Sequence, residues 1–474
     1  MVIRGVPERL AKDGWWLDGT PAWRISPVWL LVGVVLCADL VLWGLSPGLG
    51  FVVWLFCVAA AAHVALGWSV SLKRAGLAWG VLVVAVLPAA DLVQAVSVGL
   101  AVLGLAAFAV ILTTPSMEAG MVARAFRRLP SCGALQTWED ALTARLPIPP
   151  AGAFAAMARD WLLPLTIGAL FIGLLAMANP FVDTWIGRLR TMDAQWTWNP
   201  ARITFWVLVA IAVWPMLRLG QMIGRLMKPA RPLPALRSGL VTGRSMLRAL
   251  VLFNIIFGVQ TVLDASYLWG SLALPEGMTY AEYAHRGAYP LLVAALLAGG
   301  FALIAQPFLK ARPVLRVLLY VWIGQTVLLV LSSILRLDLY VEAYGLTRLR
   351  FAAFIWMIVT ALWLVLMIMQ MVGRQSIGWF MMRSASLGLL ALYVVSLVNV
   401  DGFIARHNLA TGKNDYWYLC QLSEGAVVAI AKYQPEPCYS DTFPQLTAPQ
   451  DWREWGFRNA RLRRSLAEMN EVQG

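Results

Sequence analysis

Charge is scarce in this sequence. Only 13% of its 474 residues are Asp, Glu, Lys or Arg, about half the roughly 25% of a soluble domain. Too little polar surface is available to wrap a water-soluble body of this size. Cysteine is sparse as well: five in the whole chain with no CxxC pair exclude a dense disulfide scaffold and a Cys-rich zinc module. Three histidines leave little material for metal sites or imidazole catalysis. A serine elbow, an HExxH helix and a phosphate-binding glycine loop are all missing, so none of the common hydrolytic or nucleotide-dependent chemistries is signalled. No catalytic residue, cofactor or metal is expected.

What is abundant is apolar: 60% hydrophobic residues and a mean hydropathy of +0.70, which place most of the chain in lipid. The 23 Trp and 12 Tyr supply rings that favour the headgroup region. A net charge of +13 fits basic loops beside anionic lipid better than nucleic acid, which is not expected as a partner.

A lipid-crossing helix needs about 20 mostly apolar residues. Eleven such runs are predicted near 28–45, 51–68, 76–91, 94–113, 161–179, 202–219, 247–269, 289–309, 314–335, 350–373 and 384–400. Only a break between Pro88 and Asp91 divides the third from the fourth. The predicted class is all-α: a polytopic transmembrane bundle of about eleven spans with a small helical extracytoplasmic C-terminal domain. The divisions are a cytoplasmic segment 1–27, four spans in 28–113, a basic amphipathic cytoplasmic connector 114–160, either lying on the membrane as short helices or simply solvated, seven spans in 161–400, and a helical tail 401–474. The first 28 residues mix acids and bases without an apolar core, so no cleavable signal is expected. Nineteen Lys and Arg fall in loops on the side of the N-terminus and seven on the other. That bias predicts a cytoplasmic N-terminus and, with an odd span count, an outside C-terminus.

Ionisable groups in the spans are the functional candidates, because each is costly unless paired or wetted. Asp39 lies near the outer end of the first span. Gln260 and Asp264, four apart, share one helix face; Asp91 and Asp401 mark the outer ends of two further spans. The bland reading is that carboxylates near the interface snorkel and cap helix ends, with Asp401 capping "GFIARHNLA" and Gly412 ending it. The sharper reading is an outward-open acidic cavity for a cation or polar solute. The loop "LPEGMTYAEYAHRGAYP" lies at the same level. Its Thr279 and Glu282 have capping-box spacing, its Glu282 and Arg286 stand at i and i+4, and its His285 and Glu276 have no evident structural duty. The candidate outer cluster is Asp39, Gln260, Asp264, Glu276, Glu282, His285 and Arg286.

In the tail, Cys420 and Cys438 are a candidate disulfide if the compartment is oxidising. Trp452, Trp455, Leu462, Leu466 and Met469 recur at helical steps as one apolar stripe with arginines on either side, suited to docking on the tail, on lipid, or on a membrane or envelope protein.

Three stretches, "DLVLWGLSPGLGFVVWLF", "NIIFGVQTVLDASYLWGSLALPEGMTYAEYAHRGAYPLL" and "NVDGFIARHNL…DYWYLCQLSEGAVVAI", resemble a family of bacterial polytopic membrane proteins. It is the domain of unknown function numbered four-one-seven-three, with a broader relative numbered four-one-five-three. The resemblance implies a bacterial inner-membrane protein with a helical core and helical C-terminal extension, and implies no activity. On sequence alone the leading expectation is a non-enzymatic accessory or sensory-regulatory component; a transporter follows, and an enzyme of lipid or envelope intermediates comes third.

Overall fold

The computed structural model describes residues 26–67, 70–114, 118–143, 199–227, 242–267, 313–413, 415–433 and 448–473, with isolated positions at 167, 297, 299–302, 304–305 and 446. Among these the secondary structure is helical: α1 Pro27–Leu42, α2 Leu49–Leu66, α3 Leu72–Asp91, α4 Ala95–Thr113, α5 Ala119–Thr143, α6 Pro200–Leu217, α7 Leu219–Leu226, α8 Gly243–Tyr267, α9 Pro313–Tyr344, α10 Arg348–Val372, α11 Ile377–Leu397, α12 Val400–Ala410, α13 Tyr416–Cys420, α14 Val427–Tyr433 and α15 Phe457–Gln473. Eight of them, α2, α3, α4, α6, α8, α9, α10 and α11, are long and apolar enough to cross a membrane. Helix α1 is equally apolar but has 16 residues, about 24 Å of rise. The spans expected at 161–179 and 289–309 lie, but for isolated positions, outside the described residues.

Local chemistry accounts for most helix limits. Ser26 caps α1 ahead of Pro27, Asn199 caps α6 ahead of Pro200, and Ser376 caps α11 through Trp379 N–H, each supplying an oxygen to an orphan donor of the first turn. Three sequence expectations need correction. The break between the third and fourth spans falls at Leu92–Gln94, because α3 runs through Pro88 to Asp91. The connector after residue 118 is one 25-residue helix with Pro130 inside it, where short pieces were expected. Helix α9 continues past the apolar run, through Arg336, to Tyr344. It does so because Arg336 is neutralised there, and Gly345, at φ +77°, then turns the chain.

The chain divides into two compact units. In the first (1–43, 57–69 and 128–226), α1 packs on α6. The C-terminal turns of α5 meet α6 and α7, with Gly133 against Pro215. In the second (44–56, 70–127 and 227–474), α3 and α4 pack so closely that a Cβ on Gly104 would lie 2.3 Å from Ala85 Cβ, the small-residue contact common between membrane helices. Helices α8 to α11 follow in sequence, each against its neighbour where described, around Leu250, Leu315, Leu319, Trp322, Met367 and Phe380.

The tail belongs to this second unit. Ile404, Ala405, Leu419, Ala426 and Ile430 bury against Val341 and Leu346 at the end of α9. The Asn408 amide reads the backbone of the α9–α10 turn, taking Leu346 N–H at 2.7 Å and donating to its carbonyl at 2.9 Å. Asn399 is wedged between two glycines. Its Oδ1 caps α12 by accepting from Gly402 N, and its Nδ2 donates to Gly425 O at 2.8 Å. A Cβ at either glycine would come within 2.4 Å of that side chain. The α12 cap is thus Asn399, not Asp401; Gly412, at φ +70°, follows its end as expected.

Candidate functional site

Among the described residues, the acidic groups singled out in the sequence are held by arginines. In the first unit Asp39 accepts from Arg202 Nε at 2.8 Å and Nη2 at 2.5 Å, and from Trp206 Nε1 at 2.8 Å. In the second, Asp264 accepts from Gln260 Nε2 at 2.8 Å and from Arg336 Nη2. Asp91 takes two guanidiniums from α15, Arg458 at 2.7 Å and Arg461 at 2.5 Å. Asp401 takes Arg348 through Nε and Nη2, at 2.7 and 2.5 Å, together with Ser423 N–H at 2.9 Å. Bidentate pairing of this kind gives direction as well as charge balance.

Two carboxylates outside the spans show the electrical effect. Burial works to raise the Asp401 carboxyl, but the Arg348 guanidinium and the Ser423 N–H outweigh it and hold the group below the ordinary carboxylate range. Asp140 on α5 is likewise opposed by burial and held low by Arg218, Gln136 and Trp214. Arg218 Nε lies 2.9 Å from it.

Of the outer cluster read from the sequence, Gln260 and Asp264 come together and Asp39 lies in the other unit. Glu276, Glu282, His285 and Arg286 are outside the described residues, as is Cys438. Cys420 is disulfide-bonded, whereas Cys37, Cys57 and Cys132 are free thiols. The space beside Asp264 is only about 20 Å³, room for one water. Among the described residues no three His, Cys, Asp or Glu are grouped to hold a metal ion; His407 stacks on Phe403.

The tail stripe is only half apolar in use. Leu462, Leu466 and Met469 are half-buried, Trp452 is exposed, and Trp455 meets Phe457 edge-on. The deepest described side chain of α15 is Arg458, 6% exposed. Sequence reasoning passed over the arginine partners by counting Arg202 and Arg348 among the seven loop charges and the α15 arginines only as flanks of the apolar stripe. The available signal was the cost of an unpaired Arg beside an apolar run, which a carboxylate at its level relieves.

Where the tail meets the spans, two cavities adjoin. The larger, about 730 Å³, has apolar walls from Phe351, Ile355 and Val359 on α10 and Leu392 and Val395 on α11, with Arg348, Asp401 and Arg458 at one end. The smaller, about 450 Å³, is polar and includes Glu424, Glu454 and Arg463. Leu92, Asn399, Ser423 and Arg458 line both.

A set of long apolar helices, arginine-locked carboxylates and a docked helical tail defines an all-α multi-pass membrane protein. The family model of a domain of unknown function, DUF4153, matches residues 50–433, and the chain belongs to that family. The match is therefore to the broader of the two resemblances, four-one-five-three, and not to four-one-seven-three. No curated protein and no solved structure matches the chain.

Proposed function

We propose that this chain is a non-enzymatic accessory or sensory-regulatory component of a bacterial inner membrane, with its N-terminus inside, its tail outside, and a membrane or envelope protein as partner of the tail. The observation that carries the reading is the tail itself. It shares a core with the end of α9, is clasped to α3 by Asp91, and still presents Trp417 at 74% and Trp452 at 55% exposure. Exposed tryptophans on an ordered support are the usual anchors of an interface. The bond on Cys420 supports an oxidising surrounding, with Cys438 as the proposed partner.

The transporter reading draws less support, since Asp39 and Asp264 are each bonded to an arginine and little space adjoins Asp264. Crosslinking from the tail in intact cells tests the proposal. A stoichiometric partner that disappears in the Trp417→Ala/Trp452→Ala double variant is expected. A protein that crosslinks to nothing and gains thermal stability from a small solute would overturn it.

A further inference from the structure

The two adjoining cavities have the shape and chemistry of a site for one amphiphile. Their polar residues sit at or beside helix ends: Arg348 opens α10, Asn399 follows α11, and Arg458 is held by Asp91, which closes α3. Chain ends of spans lie at the headgroup level of a bilayer. From Arg348 the apolar wall descends α10 through Phe351 and Ile355 to Val359, about 16 Å of helical rise into the hydrocarbon. One cavity therefore runs with the acyl chains and the other with the headgroups, and Arg458 lines both.

The donors left at the junction define the headgroup. Arg348 spends Nε and Nη2 on Asp401, and Arg458 spends the same two atoms on Asp91 and the Ser396 carbonyl. Each keeps its Nη1 donors for an acceptor-rich group such as a phosphate. Asp91 faces two guanidiniums, so that cluster holds one positive charge beyond its carboxylate. On the far side of Arg458, in the polar cavity, stand Glu424 and Glu454 beside Arg463. Asn459 occupies only Oε2 of Glu424, leaving Oε1 as an acceptor. Backbone N–H groups of Ser46 and Gln450 hold both oxygens of Glu454 in place. Guanidiniums at the junction with carboxylates beyond them match a zwitterion that carries phosphate first and a hydrogen-bonding ammonium second.

We propose that this site binds a bilayer phospholipid with a phosphoethanolamine headgroup: phosphate at Arg348 and Arg458, ammonium at Glu424 and Glu454, one acyl chain between α10 and α11. The proposal rests on the membrane placement and on these cavities, and is independent of any protein partner of the tail.

Native mass spectrometry of the delipidated full-length protein in detergent, titrated with phospholipids of one acyl composition and ethanolamine, choline or glycerol heads, tests it. The ethanolamine lipid is expected to be retained about tenfold more tightly than either other. Glu424→Gln should erase its advantage over the choline lipid. Gly388 lines the apolar cavity and a Cβ there meets no described residue within 4 Å, so Gly388→Leu should fold normally and weaken retention of all three lipids. Equal retention of the three headgroups by wild type, tighter retention of the glycerol lipid, or indifference to both substitutions would overturn the proposal; Glu424→Gln keeps the test decisive should the cavity-filling variant misfold.

Discussion

Arg336 on α9 donates to Asp264 on α8 with both side chains at most 4% exposed, so two opposite charges face each other inside the packed helices of the second unit. Asp264 Oδ2 has no hydrogen-bond partner among the described residues. A pair in such a place is held less by the worth of the bond than by the cost of leaving either charge alone.

Arg336→Met should therefore be more damaging than the loss of both charges. The single variant is expected to lose about 3–5 kcal/mol of stability, and the Asp264→Leu/Arg336→Met double variant to recover most of it. Thermal unfolding of the detergent-purified protein, read as a double-mutant cycle, measures the difference. A double variant as unstable as the single one would contradict this account.

The two arginines on Asp91 should be unequal. Arg461 is 69% exposed in its side chain and Arg458 8%, so Arg461→Ala is expected to cost at most about 1 kcal/mol and Arg458→Ala about 3 kcal/mol or more. Limited proteolysis gives the readout, with cleavage between α14 and α15 accelerated in Arg458→Ala and near wild type in Arg461→Ala.

Gly48 lets the turn before α15 approach the loop after α1. A Cβ there would fall 2.4 Å from the Glu454 carbonyl carbon, which is backbone and has no rotamer to yield. Gly48→Ala should break the Leu49 N–H to Trp455 O bond, now 2.8 Å, and raise amide exchange at Leu49. Gly80→Ala, whose Cβ meets no described residue within 4 Å, should leave exchange unchanged.

Acid should loosen the tail through Asp401. Its folded-state carboxyl is held below the ordinary value, so the stability it contributes is full above that value and lost as pH falls through the lowered one. The midpoint of thermal unfolding is expected to stay level from neutrality to about pH 5 and to decline below about pH 4. In Asp401→Asn the neutral-pH midpoint should be lower and the acid decline shallower.

Long apolar runs made the spans legible, because 20 uncharged residues have few other places to go. Nine of the eleven expected runs fall on described helices. The Pro88 to Asp91 stretch adjoined a real division, which falls just beyond it at Leu92–Gln94, because α3 accommodates Pro88 in its last turn. The pairings were not legible. Asp91 and Arg458 stand 367 positions apart, and no local periodicity connects them. Asp401 looked like a cap because Asp commonly is one. Its neighbour Asn399 had the better claim, since an amide, unlike an ionised carboxylate, can both accept from Gly402 and donate to Gly425.

The clasp at Asp91 also orders events during synthesis. The carboxylate at the end of α3 is made early, and its guanidiniums arrive 367 and 370 residues later, after every described span has left the ribosome. Until then the α3 end must keep its charge in water. Closing the clasp is thus a late step that waits for α15, and a product truncated before that helix leaves Asp91 without either guanidinium.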